Sequence, residues 1–138
     1  MRYLRFRPGS GDSWSGGFEG QSSVEALTGY FSRGWHVDTA NIDLESTGYL
    51  GASAYEGTNF VDLEGDGTTG TGSISTNVTT VAGKSYRLSF AYSKNPAAPT
   101  ASATVLQNGN QLLALTVNGN NSWPNLGWHT NRGRLHRE

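Results

Sequence analysis

The sequence predicts an all-β sandwich, and three observations carry that prediction. Glycine supplies 19 of 138 residues, beside four prolines and abundant Ser, Thr and Asn. Such a mixture suits short strands and tight turns, because Gly and Asn reach positive φ cheaply and β-branched residues fit a pleated surface. Tyr86, Leu88, Phe90 and Tyr92 alternate with Arg87, Ser89 and Ala91, and period two over seven residues is a half-buried strand. Asn108-Gly109 stands between two apolar runs, the strongest short-range hairpin signal. At this length one domain can bury a core without metal or disulfide staples.

Taken in order, residues 1–15 read as a leader or adventitious extension, with Arg2, Arg5 and Arg7 and then a Pro-Gly-Ser run. They lack the apolar stretch of about 7–15 residues that defines a signal peptide. The domain body spans residues 16–130. Ser22 to Tyr30 carries the one helix signal, a cap-like Ser, an acidic first turn and a terminating Gly. Short strands are expected at residues 35–37, 42–44, 60–63 and 73–79, followed by the strand over 86–92, which Asn95-Pro96-Ala97-Ala98-Pro99 ends by removing backbone donors. Residues 101–106 and 111–117 form the hairpin arms. Residues 131–138 read as a basic tail, with Leu135 its one aliphatic residue.

A set of motifs within residues 16–130 links these elements. Gly17-Phe18-Glu19 is followed by Gly34-Trp35-His36-Val37, Asn41-Ile42-Asp43-Leu44, Glu56-Gly57-Thr58-Asn59-Phe60-Val61-Asp62-Leu63-Glu64-Gly65 and Val81-Ala82-Gly83-Lys84-Ser85-Tyr86-Arg87-Leu88-Ser89-Phe90. This series resembles the exported domains of the bacterial choice-of-anchor C group and the plant cell-wall domain of unknown function numbered six-four-two. The resemblance implies a jelly-roll, galactose-binding-like β-sandwich, extracellular or at the cell surface, without catalytic activity and directed at carbohydrate. It also implies that Phe18 anchors the core. Relatives of that kind continue past a Gly-Trp segment, here Gly127-Trp128, into further apolar strands. The domain is therefore expected to be shortened at its C-terminus, with an exposed sheet edge through which it self-associates.

The residues themselves exclude several chemistries. The formal net charge is −1, yet between residues 8 and 131 four basic residues face ten acidic ones, a balance of −6. Nucleic acid as a partner needs clustered Lys and Arg on one face, and membrane insertion needs about 20 apolar residues in a row. The chain offers neither. Without cysteine there is no thiolate nucleophile. His36, His129 and His136 have no ligand partner at a recognised spacing, and no Gly-x-Ser-x-Gly elbow or P-loop occurs. A glycoside hydrolase is a weaker reading, built on Asp43, Glu45, Asp62, Glu64 and Asp66.

Two candidate sites remain. Asp62-Leu63-Glu64-Gly65-Asp66-Gly67 matches part of a calcium loop, with Ser73 where the closing Glu should stand. Asp62, Glu64 and Asp66 are thus candidates for a structural calcium, although no cofactor is required. The competing reading makes Asp62 a strand-end acceptor of backbone hydrogen bonds and Glu64 and Asp66 solvated turn residues. For a sugar, apolar C–H faces stack on Trp or Tyr while nearby polar groups satisfy the hydroxyls. Trp35, Phe60, Tyr86 and Phe90 sit on alternating core positions. Tyr49, Tyr55, Trp123 and Trp128 lie in polar segments without that alternation, and with Asn59 they are the expected glycan-binding residues. The expectation is a non-catalytic module for a polysaccharide or glycan ligand; the alternative is a structural or protein-interaction module with no glycan site.

Overall fold

Strand bulges, more than strand lengths, decide how this chain is arranged. The computed structural model describes residues 17–135, with side chains to residue 131. The extension expected over residues 1–15 and residues 136–138 of the expected tail lie outside the described residues. Eight strands run in the order β1 (Val24–Phe31), β2 (Trp35–Ser46), β3 (Asn59–Asp62), β4 (Ser73–Ser75), β5 (Tyr86–Tyr92), β6 (Thr100–Gln107), β7 (Asn110–Asn118) and β8 (His129–Leu135). A single 3-10 turn, Tyr49–Gly51, interrupts them, and the described residues contain no α-helix. The class is all-β, and every ladder is antiparallel.

β2 is the spine of a four-stranded sheet. β1 pairs along one side of it, while β4 pairs its first half and β3 its second half on the other side. β5 with β8, and β6 with β7, form two further two-stranded sheets. The hairpin between β6 and β7 turns on Asn108 and Gly109, at φ 48° and 81°. Positive φ at both central residues is the turn whose twist matches the flanking strands.

Three elements differ from expectation. Residues 22–30 are not helical: β1 occupies Val24–Phe31. Val24, Leu27 and Phe31 are spaced like a helix face, but one extra β1 residue between Val24 and Leu27 resets the alternation, and the even interval from Leu27 to Phe31 then carries both to the same core. A bulge adds a residue to one strand and resets its alternation, so β1 mimics a helical period; the second irregularity, between Leu27 and Gly29, puts its extra residues in β2, where five steps from Val37 to Ile42 face two in β1. Ala26, at φ 52°, belongs to the first irregularity, and its N–H is captured by Asp43 Oδ1 at 2.7 Å. The two short strands expected at residues 35–37 and 42–44 are one strand of twelve residues, β2, whose register shifts between Val37 and Thr39. That shift keeps Trp35, Val37, Ile42 and Leu44 on one face despite the odd interval between Val37 and Ile42.

The third difference is at the C-terminus. The expected basic tail is β8 as far as Leu135, paired residue for residue with the whole of β5, from Tyr92↔His129 to Tyr86↔Leu135. β5 therefore has a strand partner, which removes the reason given for an exposed edge beside it. Few apolar residues mark this strand in the sequence because backbone pairing does not require them.

Three apolar clusters hold the sheets. Phe18, Phe31, Trp35, Ile42, Leu44 and Val61 form the first, with Phe18 buried as expected of an anchor. Leu88, Phe90, Val105 and Leu115 join β5 to the β6–β7 hairpin. Ala52, Phe60 and Leu126 form the third, joining the segment after β2 to the segment before β8. Leu44 and Val61 are cross-strand partners in the first cluster, so Glu45 and its partner Phe60 face the opposite way, toward the third. The sheet is thus covered on both faces at the Ser46 end of β2. Each large side chain buried there contributes on the order of 1.5–3 kcal/mol.

Candidate functional site

The segments around Glu19 and Asn59 form a clasp. Glu19 Oε1 accepts the backbone N–H groups of Thr58 and Asn59, both at 2.9 Å. Asn59 is buried, and its Nδ2 donates to the carbonyls of Phe18 and Gln21, both at 2.8 Å, while its Oδ1 accepts the Ser46 hydroxyl. A Cβ on Gly57, at φ 67°, would stand 2.5 Å from Glu19 Oε1. Gly17-Phe18-Glu19 and Glu56-Gly57-Thr58-Asn59 are therefore two halves of one interlock across about 40 residues. The sequence reading placed Asn59 among the sugar contacts. Its amide is engaged by the chain and holds the clasp, and the residue also lines the polar depression at this end of the molecule.

From this clasp springs a loop, residues 47–58. Thr47 and Thr58 close its base through Thr47 N–H to the Thr58 carbonyl, and Ala54 N–H caps onto Thr47 Oγ1. The 3-10 turn at its tip needs left-handed backbone at Gly48, Leu50 and Gly51. Gly51 lies against the ring of Pro124, which belongs to a second loop, residues 119–128.

That second loop is held by Asn121. Its Nδ2 donates to the carbonyls of Lys94 at 2.9 Å and Leu126 at 3.0 Å, with a longer contact to Ser93 Oγ. Its Oδ1 accepts from the buried Lys94 ammonium at 2.8 Å, which also donates to the Ala98 carbonyl. Ser93, fully buried, bonds the Leu126 carbonyl as well. Sequence reasoning missed this cluster. A Ser-Lys pair between an alternating strand and the Asn95-Pro96 stop was the available signal.

The two loops bring together the four predicted aromatics as two Tyr–Trp pairs. Tyr49 meets Trp123 edge to face at a centroid distance of 5.7 Å, and Tyr55 meets Trp128 in the same manner at 6.3 Å. Trp128 is fixed further by Nε1–H donation to the Ser53 carbonyl at 3.0 Å and by contact with Phe60. The tryptophans are half-buried over Ala52, Phe60 and Leu126, whereas Tyr49 is 38% and Tyr55 52% exposed. Aromatic pairs of this geometry add about 0.5–1.5 kcal/mol beyond area burial. At the base of the 47–58 loop, residues 19–22 with Ser46, Thr58 and Asn59 line an open polar depression of about 410 Å³.

The acidic loop behaves as a turn. Asp62 ends β3, and its Oδ1 accepts Glu64 N–H at 3.1 Å. Asp66 Oδ1 accepts Thr68 N–H and Oγ1–H, and Asn41 Nδ2–H. These bonds, that to the Thr68 backbone foremost, hold the Asp66 carboxyl below the ordinary aspartate value. Glu64 is exposed. Among the described residues no group of three or more His, Cys, Asp or Glu side chains is placed to hold a metal ion. Of the histidines, His129 is exposed and stacks on Tyr92, and His36 lies on the face of β2, while His136 is outside the described residues.

Among the described residues no helix is long and apolar enough to cross a membrane. No protein-family model matches the chain, and neither a curated protein nor a solved structure is significantly similar to it.

Proposed function

We propose that this protein is a non-catalytic carbohydrate-binding module of the galactose-binding-like jelly-roll type, working outside the cell or at its surface. The observation that carries the reading is the assembly of Tyr49–Trp123 and Tyr55–Trp128 at the rim of two clasped loops. Each pair has a half-buried Trp that is held in place and a Tyr ring open to solvent, the arrangement a sugar's C–H face requires for stacking. Glu19, Gln21 and Thr58, which line the polar depression at the base of the same loop, offer hydrogen-bonding groups for the hydroxyls of a longer glycan. Binding is at equilibrium, with two preordered rings keeping the entropy of association low.

Calcium has less support than turn capping at Asp62 and Asp66, whose carboxylates accept hydrogen bonds from their own loop. A second reading, a protein-interaction module, draws on Leu50, 56% exposed beside Tyr49 at the loop tip.

Thermal unfolding against plant and bacterial polysaccharide fragments, with calcium or chelator in parallel, separates these readings. A glycan at about 100 times its dissociation constant adds about 2.7 kcal/mol to the folded state and raises the midpoint by several degrees. Tyr55→Ala and Trp123→Ala should each abolish that rise. Retention of the rise in both variants refutes the site, and a midpoint indifferent to every glycan refutes the function. A midpoint lowered by chelator overturns the turn-capping account of the acidic loop.

A further inference from the structure

A second aromatic surface lies at the other end of β2. Near Ser46 the sheet is covered on both faces, but near Trp35 only the face bearing Trp35 and Val37 is buried. The opposite face carries Tyr30, His36, Asp38 and Ser75, brought side by side by the pairings Tyr30↔His36 and His36↔Ser75. Tyr30 is 79% exposed, more than any other large hydrophobic or aromatic side chain among the described residues. It is not loose: its ring lies 4.6 Å from that of His36. His36 Nδ1 is in turn 2.8 Å from Asp38 Oδ1. Partial burial pushes the Asp38 carboxyl up, and hydrogen bonds from His36 and the Ser75 hydroxyl outweigh this, leaving it below the ordinary value. An open ring is thus flanked by an oriented imidazole and a carboxylate acceptor.

We infer that Tyr30, His36, Asp38 and Ser75 form a second glycan-contact site, where Tyr30 stacks on one sugar ring while His36 and Asp38 meet its hydroxyls. The chemistry of the face selects this occupant. Tyr30 is the one exposed large apolar side chain on β1, β2 and β4, so a second copy or an apolar protein partner would bury mostly polar groups there. A sugar ring needs one aromatic plane and a few fixed polar atoms, and that is what this face offers. His36 and Ser46 are ten steps apart along β2, of which the five from Val37 to Ile42 face only two in β1, so about 20–25 Å at strand rise separates them, and a long polysaccharide or two neighbouring chains can engage both ends at once. The inference rests on the proposed glycan class, and a two-site protein gains retention on polymer that neither site has alone.

The test is an NMR titration of the whole chain with soluble oligosaccharides of cellulose, xylan and chitin, paired with retention on the corresponding insoluble polysaccharides. Two separate groups of amides should shift with one of these sugars, around residues 30–38 and around residues 49–55 with 123–128. Tyr30→Ala should erase the first group, leave the second and the thermal midpoint unchanged, and lower retention about tenfold. Shifts confined to the loop aromatics, or full retention by Tyr30→Ala, overturn the second site and spare the first. Shifts around residues 30–38 that follow protein concentration without sugar assign the face to a second copy and also overturn it. No shift with any sugar removes both sites together.

Discussion

Asn59 and Asn121 do the same work at the feet of the two loops, though nothing in their sequence contexts makes them alike. Each donates through Nδ2 to two carbonyls that no strand ladder satisfies, Phe18 and Gln21 for Asn59, Lys94 and Leu126 for Asn121. Each accepts at Oδ1, from the Ser46 hydroxyl in one case and the Lys94 ammonium in the other. A side-chain amide thus replaces a strand where the chain leaves a sheet, because buried carbonyls must find donors. The two differ in the partner at Oδ1: one amide meets a neutral hydroxyl, the other a cation that is itself buried.

That difference orders the consequences of breaking them. Asn121→Ala should cost most, about 3–5 kcal/mol in urea unfolding, since it takes the amide donor from the Lys94 carbonyl, leaves the Leu126 carbonyl only the Ser93 hydroxyl, and takes from the buried Lys94 ammonium one of its two acceptors. Asn59→Ala should cost about 2–3 kcal/mol. Equal losses would mean that the charge at Oδ1 does not matter, and a loss below about 0.5 kcal/mol in either would show that water replaces the amide.

The clasp around Asn59 also depends on space. Gly57→Ala forces a Cβ toward Glu19 Oε1 at positive φ and should cost about 1–3 kcal/mol. In a Glu19→Ala background the same substitution should cost less, as the backbone strain alone remains; a double-mutant cycle with no coupling would remove Glu19 from the interlock. At the rim, Trp128→Phe keeps the ring contact but loses the bond to Ser53, an expected loss of about 1 kcal/mol. Glycan retention should fall alongside, because the loops are less firmly joined; unchanged retention would free Trp128 from the binding role.

The smallest effect is in the acidic loop. The Asp66 carboxyl titrates below its ordinary value when folded. Its contribution is present above the ordinary aspartate range and is lost as pH falls below about 4, through the depressed folded value. The Thr68 amide should therefore exchange faster with solvent on acidification than the opening of the whole fold accounts for. Asp66→Asn should flatten that local pH dependence, and a Thr68 amide that follows global unfolding in both proteins contradicts the turn-capping role.

What was legible in the sequence was local. Period-two alternation marked β5 at its true bounds, and Asn108-Gly109 marked the β6–β7 hairpin, because each depends on neighbouring residues and on backbone geometry that Gly and Asn allow. The four aromatics lacking alternation stood out as candidate ligand contacts, and they meet in two pairs. β1 was not legible, since an extra residue between Val24 and Leu27 gave its apolar residues a helix-like spacing. Nor was β8, whose backbone pairs with β5 although its sequence is basic and glycine-containing.

By itself, then, the sequence determined an all-β class, the strongest strand and turn, the core anchors and the aromatic composition of the rim. Tertiary structure alone decided that Asn59 belongs to a clasp, that Asn121 and Lys94 hold the facing loop, and that residues 129–135 complete a ladder. It also decided that one end of β2 is sealed and the other open. The physical reason is that periodicity reports which side of a strand is apolar, whereas a buried amide's role depends on which unpaired carbonyls the folded chain brings within 3 Å of it.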